Sequence, residues 1–424
     1  MRNKIKSAIF KFKPFSPKQL KVLTWWLPSS PVQGKDGVIA DGAIRSGKTL
    51  SMSLSFVMWA LETFDQQNFG MCGKTIGSFR RNVVFWLKLM LRSRGYKVKD
   101  QRADNLLVIS KLGKTNYFYI FGGKDERSQD LIQGITLAGI FFDEVALMPE
   151  SFVTQATGRC SVDGSKYWFN CNPAGPYHWF KVEWIDKNLE KNLIYLRFTM
   201  DDNLSLSERI KDRYRRMYSG VFFKRYILGL WVMAEGIIYD MFSTEVHVVP
   251  TIERRYTEYY VSCDYGTQNP TTFGLWGKCD KVWYKVKEYH YDGRKKSKQK
   301  TDEEYCDDLI EFVGKLSLRG VIIDPSAASF IAALKKRGLF RVIPADNSVV
   351  DGIRDVASSL VDGSIKYNDC CKETLREYQS YSWDAKAAAR GEDKPIKEND
   401  HQMDGDRYFV RKVVKSKGGV TFPT

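Results

Sequence analysis

Over the first 235 residues, short apolar runs closed by a glycine or an acid alternate with longer stretches of helical spacing. Gly37-Val38-Ile39-Ala40 reads as a buried strand, and Leu50 to Leu61 has the length and apolar content of a buried helix. Phe69 to Lys74 and Tyr117 to Gly123 predict further strands, with a helix over Phe79 to Leu91 between them. Leu137 to Glu144 and Tyr167 to Pro173 are two more strands, each ending in polar residues. Strands alternating with helices predict a mostly parallel sheet. Composition shifts after residue 235, and a new strand pattern starts near residue 256. Tyr259 to Gly266, Thr272 to Trp276 and Val282 to Tyr291 read as a three-strand meander, followed by a strand over Gly320 to Ser326. Asn399 to Tyr408 opens the last helix. The expected class is α/β in two domains, one over 25–235 with a mostly parallel sheet and one over 256–424 with a mixed sheet. Residues 236–255 link them, and residues 1–24 form a basic arm with seven Lys/Arg and no Asp/Glu. Such an arm is either a contact for nucleic acid or an acidic partner, or a solvated tail.

Between the first strand and helix, Gly42, Gly47, Lys48 and Thr49 complete the G-x-x-x-x-G-K-[ST] phosphate-loop pattern. Its glycines let successive N–H groups and the helix N-terminus face a polyphosphate, with Arg45 and Ser46 in the turn. Lys48 then reaches the β- and γ-phosphates, and Thr49 binds Mg²⁺. In the strand Leu137 to Glu144, the apolar run ends in two acids. Asp143 is expected to hold Mg²⁺ and Glu144 to polarise the attacking water, which makes the domain a P-loop ATPase. Asn170-Cys171-Asn172-Pro173 stands where helicase-like motors sense the γ-phosphate, although Asn-Pro also marks an ordinary turn. Upstream, Gln19 is placed to read the adenine edge. For the charge-neutralising arginine, Arg45, Arg127 and Arg159 all compete.

In the second half, Asp264 and Asp324 each end a strand, while His401 and Asp404 share a face of the final helix. Singly, each acid is explained as a cap or a surface charge. Their order (strand-end Asp, meander, strand-end Asp, helical acid) resembles the layout of ribonuclease-H-like nucleases. Those enzymes hold two divalent ions about 4 Å apart. Oxygen ligands favour Mg²⁺ or Mn²⁺. The loop Gly293 to Lys300 is basic and suits a DNA backbone or a solvated hairpin tip.

Composition adjusts this picture in three ways. A formal charge of +16, from 66 Lys+Arg against 50 Asp+Glu, points to a polyanionic partner. Eight cysteines without a C-x-x-C pair, and only four histidines, indicate neither a zinc site nor a disulfide framework. No apolar run approaches the ~18–20 residues of a membrane span, and no secretory signal is evident.

Taken with Asn172-Pro173-Ala174-Gly175-Pro176-Tyr177-His178-Trp179, Asp201-Asp202-Asn203, Gly229-Leu230-Trp231, Ala234 to Asp240 and Asp400-His401-Gln402-Met403-Asp404, the chain resembles the large terminase subunit of tailed bacteriophages along nearly its whole length. The resemblance implies a packaging ATPase at Lys48, Thr49, Asp143 and Glu144, and nuclease acids at Asp264, Asp324 and Asp404 with His401 beside them. It also implies double-stranded DNA, a small terminase subunit and the procapsid portal as partners, and a ring of copies during packaging. The work then takes place in the bacterial host's cytoplasm and not in the mature virion. A helicase-like translocase without nuclease activity would share only the first half.

Overall fold

The computed structural model describes residues 14–266 and 269–415. The chain forms two compact units. Among the described residues, the first takes in 14–214 together with Phe223–Met233; the second takes in Arg215–Phe222 and the residues from Ala234 onward.

The first unit is built on an eight-stranded sheet in the order β3-β4-β5-β2-β6-β7-β1-β8. Its strands are β1 Gly37–Gly42, β2 Asn68–Gly73, β3 Lys97–Gln101, β4 Leu106–Lys111, β5 Lys114–Gly122, β6 Gly139–Asp143, β7 Lys166–Asn170 and β8 Leu193–Phe198. From β5 to β8 every pairing is parallel; β3 and β4 add antiparallel at one edge. Each residue of β1 is buried, as a strand covered on both faces requires. The β3–β4 hairpin escapes the periodicity argument because Lys97-Val98-Lys99-Asp100-Gln101 is charged, a composition that protects an edge strand from further pairing. The helix expected over 79–91 is present, but a π turn over Arg80–Val84 interrupts it.

Helix Lys48–Thr63 packs its apolar faces into an aromatic cluster. Trp59 and Phe56 lie 4.8 and 5.2 Å, centroid to centroid, from Trp168 of β7. Ser55 lets this helix carry a hydroxyl through the core: its Oγ accepts from the indoles of Trp26 (3.1 Å) and Trp168 (3.2 Å) and donates to the Val22 carbonyl (2.6 Å). Of the stretch read as a basic arm, residues 1–13 lie outside the described residues, whereas Pro17–Thr24 is a helix. Ser16 and Gln19 form its capping box, and Val22 and Leu23 are buried. Two lysines in this segment hid an amphipathic helix whose apolar face belongs to the core.

The second unit has a seven-stranded sheet in the order β14-β13-β10-β11-β12-β15-β9. Here β9 is Val248–Val249, β10 Tyr259–Asp264, β11 Thr271–Cys279, β12 Val282–Tyr291, β13 Gly320–Ile323, β14 Val342–Pro344 and β15 Ile365–Asn368. The meander β10-β11-β12 is antiparallel, and the flanking strands pair in parallel, so the sheet is mixed. Residues 236–255 are built into this unit. Tyr239 is buried against Tyr378 and Tyr381, and β9 pairs with β15. A two-residue strand gives no periodicity to read.

Helix His401–Phe409 packs on β10 and β11. A buried ion pair fixes it there: Lys285 Nζ of β12 donates to Asp406 Oδ1 (2.6 Å) and Gln402 Oε1 (2.9 Å), with both ionised side chains essentially inaccessible. Removing one partner strands a buried charge. Lys285→Met is therefore expected to cost about 3–5 kcal/mol in denaturant unfolding, and Lys285→Met/Asp406→Leu to recover much of that loss. Among the described residues, no helix is long and apolar enough to cross a membrane.

Candidate functional site

The parallel strands β1, β6, β7 and β8 end along one edge of the first sheet, where ligands of such sheets bind. Between β1 and helix Lys48–Thr63 the chain turns through Gly42 (φ 123°) and Gly47 (φ 83°). A Cβ on Gly42 would sit 2.0 Å from the Phe198 carbonyl oxygen, and one on Gly47 2.2 Å from Gln19 Nε2. Glycine is required at both positions, and Gln19 is thereby placed directly against the loop. Backbone bonds from Ala43 N to Phe198 O and from Ile44 N to Tyr226 O, both 2.9 Å, tie the loop to its surroundings. Asn203 Nδ2 donates to Arg45 O at 2.7 Å.

Lys48 is buried, and its ammonium donates to Gly42 O (3.1 Å), Ala43 O (2.6 Å), Ser46 Oγ (3.1 Å) and Asn172 Oδ1 (3.2 Å). Burial lowers its pKa to about 8, against the opposing pull of Cys171, Asp41, Asp143 and Glu144. Thr49 Oγ1 donates to Asp143 Oδ1 at 3.0 Å, so the two residues expected to share Mg²⁺ stand together. Asn170 Nδ2 bridges them, donating to Thr49 Oγ1 (2.9 Å) and to Asp143 Oδ1. Burial, reinforced by Glu144, pushes Asp143 up to about 7. Glu144 follows β6 as an exposed residue with φ 60°, a left-handed conformation rarely adopted by non-glycine residues. Of the three candidate arginines, Arg45 lies in the loop with its guanidinium over the Tyr214 ring (5.5 Å), and Arg127 is exposed beside Asp125. Arg159 buries its Nε without a hydrogen-bond partner.

The sequence reading missed Asp41, the penultimate residue of β1, which is fully buried and accepts from Trp231 Nε1 at 2.6 Å. Burial raises its pKa. In the sequence it is only an acid one residue ahead of the loop glycine, and its burial depends on the distant Trp231.

In the second unit β10 and β13 are parallel neighbours, so Asp264 and Asp324 emerge at one sheet edge. His401 Nδ1 lies 2.9 Å from Asp264 Oδ2. Burial alone would lower the His401 pKa, but the bond to Asp264 and the charges of Asp264, Asp400 and Glu377 raise it. Burial raises Asp264, His401 opposes this and the Asp404 charge adds to it. Asp324 accepts from Ser326 N (2.7 Å), Asn347 Nδ2 (3.2 Å) and Tyr408 OH (3.3 Å); together these outweigh burial and lower its pKa. Asp404 accepts from Arg407 Nη2 at Oδ1 and from Lys397 Nζ (3.2 Å) at Oδ2. Tyr408 lies among all three acids: burial and the charges of Asp264, Asp404 and Asp324 raise its phenol pKa, with Arg407 opposing. Its spacing was legible, since 401, 404 and 408 follow one helical face. Glu377, also missed, is buried and caps this helix by accepting from Gln402 N (2.8 Å) and Met403 N (3.1 Å).

Among the described residues, no three His, Cys, Asp or Glu side chains stand close enough as arranged to hold a metal ion. The three expected metal acids are drawn instead to Lys397, Arg407, His401 and the donors on Asp324. The donor chemistry nevertheless fits a hard divalent cation. The groups are carboxylate oxygens, and the chain itself supplies positive charge to them.

The model for the N-terminal part of T4-like-virus-type large terminase subunits matches residues 39–245. A large terminase from a thermophilic bacteriophage is 70% identical to this chain, and its structure superposes with a TM-score of 0.93 over 95% of this chain and 100% of that one. The chain belongs to the large terminase family. The same thermophilic-phage protein has also been solved with ADP (70% identity) and with ATP-γ-S (69%); both forms give a TM-score of 0.90 and the same coverage. The large terminase subunit of Escherichia phage T5 is 24% identical over an alignment of 297 positions that covers 66% of this terminase chain and 66%, just under two thirds, of the T5 protein.

Proposed function

We propose that this large terminase carries two separate chemistries, ATP hydrolysis in the first unit and metal-dependent DNA cleavage in the second. Hydrolysis drives double-stranded viral DNA into the procapsid, and cleavage severs the concatemer. The observation that carries this reading is the presence in one chain of Thr49 on Asp143 at one strand edge and His401 on Asp264 at another. That the thermophilic-phage relative takes ADP and ATP-γ-S supports the nucleotide half.

In the first unit, Lys48 exchanges its contacts with loop carbonyls for the β- and γ-phosphates. Thr49 and Asp143 would hold Mg²⁺, and Glu144 would orient and deprotonate the attacking water. Asn170 and Asn172 touch Asp143 and Lys48 and so register the γ-phosphate, while Gln19 reads the base from its place against Gly47. In the second unit, Asp264, Asp324 and Asp404 are the carboxylates for Mg²⁺ or Mn²⁺, and His401 orients Asp264. Bound there, the metal pair supplies activation of water and neutralisation of the leaving oxygen. The positive net charge suits a duplex partner; a small terminase subunit, a portal and further copies of this chain in a ring complete the machine, acting in the host cytoplasm before the virion matures.

The test uses one preparation for two assays: ATP turnover with and without duplex DNA, and linearisation of supercoiled plasmid with Mn²⁺ or Mg²⁺ and no nucleotide. Both activities are expected, and a chelator should abolish the second. Folded, ATP-hydrolysing protein that never cuts would convert the reading to a translocase without nuclease activity.

The titrations of the first site give a further expectation. Asp143 must be ionised to hold Mg²⁺ and is neutral below about pH 7; Lys48 must be charged to meet phosphate and loses its proton above about pH 8. The ratio kcat/KM for ATP, which reports the unliganded enzyme, should therefore be bell-shaped with its maximum between those values. A profile flat from pH 6 to 9 would contradict these assignments.

A further inference from the structure

Asp404 has both carboxylate oxygens engaged by cations of its own chain, and the two cations differ in kind. Arg407 is 1% exposed, sits one turn along the same helix and carries a charge that cannot be titrated away. Lys397 comes from the segment ahead of the helix, and its side chain is 61% exposed. Its ammonium stands 3.2 Å from Asp404 Oδ2 and 3.1 Å from Asp400 Oδ2. Arg407 is a fixed part of the site. Lys397 reaches the acids through ion pairs at its tip, a strongly hydrated ammonium on a flexible stem, so its release to water costs little.

We propose that Lys397 is a displaceable counter-ion for the carboxylate cluster, seated on Asp404 and Asp400 in the metal-free protein and released to solvent when a divalent cation is taken up. This rests on the reading of Asp264, Asp324 and Asp404 as metal carboxylates. The repulsion among these acids, with Asp400 beside them, needs compensation at all times. Lys397 supplies it in the absence of metal and so competes with the cation for Asp404 Oδ2. It thereby raises the metal concentration at which the cluster fills.

The test is Mn²⁺ binding to the full chain without nucleotide or DNA, read from the electron paramagnetic resonance signal of the free aquo ion. Asp324→Asn identifies the binding that belongs to this cluster. Lys397→Met should bind that Mn²⁺ about two- to fivefold more tightly than wild type, the size expected for removing an exposed competing ion pair. Lys397→Arg, which keeps the charge, should stay within about twofold of wild type. Wild type that binds Mn²⁺ in an Asp324-dependent way, with Lys397→Met no tighter, overturns the counter-ion proposal and leaves the metal reading standing. Absence of any Asp324-dependent Mn²⁺ binding in wild type and Lys397→Met overturns both.

Discussion

Glu144→Gln is expected to lower ATP turnover by about 10²–10⁴-fold while leaving nucleotide affinity within about threefold of wild type. The two effects separate because Glu144 and the binding groups occupy different positions. Lys48, Thr49 and Asp143 are buried or half-buried at the loop, and Asp143 is already bonded to Thr49 and Asn170. Glu144 stands one residue further on and exposed, turned by its left-handed backbone out of the strand direction. A glutamine there keeps the size and the backbone but cannot take a proton from water. The loss corresponds to about 3–5 kcal/mol of transition-state stabilisation. Phosphate release and equilibrium binding of a non-hydrolysable analogue, measured on the same protein, check the two halves. A variant that turns over within tenfold of wild type would place the base elsewhere. Lys48→Ala should fail differently, losing the phosphate contact and with it both affinity and turnover.

The contrast between these residues also explains what the sequence could reveal. A phosphate loop is legible because its glycines answer a local backbone demand: Gly42 and Gly47 are needed wherever the chain folds this way, whatever lies beyond. Asp143, Glu144, Asp264 and Asp324 are legible because a strand is a short apolar run and its end is where an acid appears. The residues that pass unnoticed act across long sequence separations. Asp41 meets Trp231, Glu377 caps a helix that starts at His401, and Lys285 of β12 neutralises Asp406. Nothing in the local pattern distinguishes these side chains from surface polar residues, because burial is decided by the tertiary fold. The same holds for β3 and for Pro17–Thr24. The charged β3 gives no apolar run to read, and the lysines of Pro17–Thr24 suggested a solvated arm although that helix lays Val22 and Leu23 into the core.

Asp324→Asn should remove DNA cleavage by at least about 10²–10³-fold while ATP turnover and thermal stability stay close to wild type. The choice among the three acids matters. Asp404 neutralises Arg407, which is buried, so replacing it leaves an uncompensated interior charge that costs several kcal/mol and confuses lost chemistry with lost fold. Asp264 is buried beside His401 and carries a similar hazard. Asp324 accepts from Ser326 N, Asn347 and Tyr408 OH, and among the described residues no buried cation is paired with it. An asparagine withdraws the negative charge and keeps its one oxygen for Ser326 N; its amide then faces Tyr408 OH and Asn347, whose hydroxyl and exposed side-chain amide can turn an oxygen toward it. The several kcal/mol that metal-assisted hydrolysis draws from its ligand set should then disappear at a small structural cost, that of re-pairing the donors on one oxygen. Plasmid linearisation with Mn²⁺, melting temperature and ATP turnover, measured together on Asp324→Asn and wild type, separate the alternatives. Cleavage lost with the other two readings unchanged assigns Asp324 to the cutting chemistry. Cleavage retained at wild-type rate would leave the strand-end acids of the second unit with only the structural roles that their hydrogen bonds already describe.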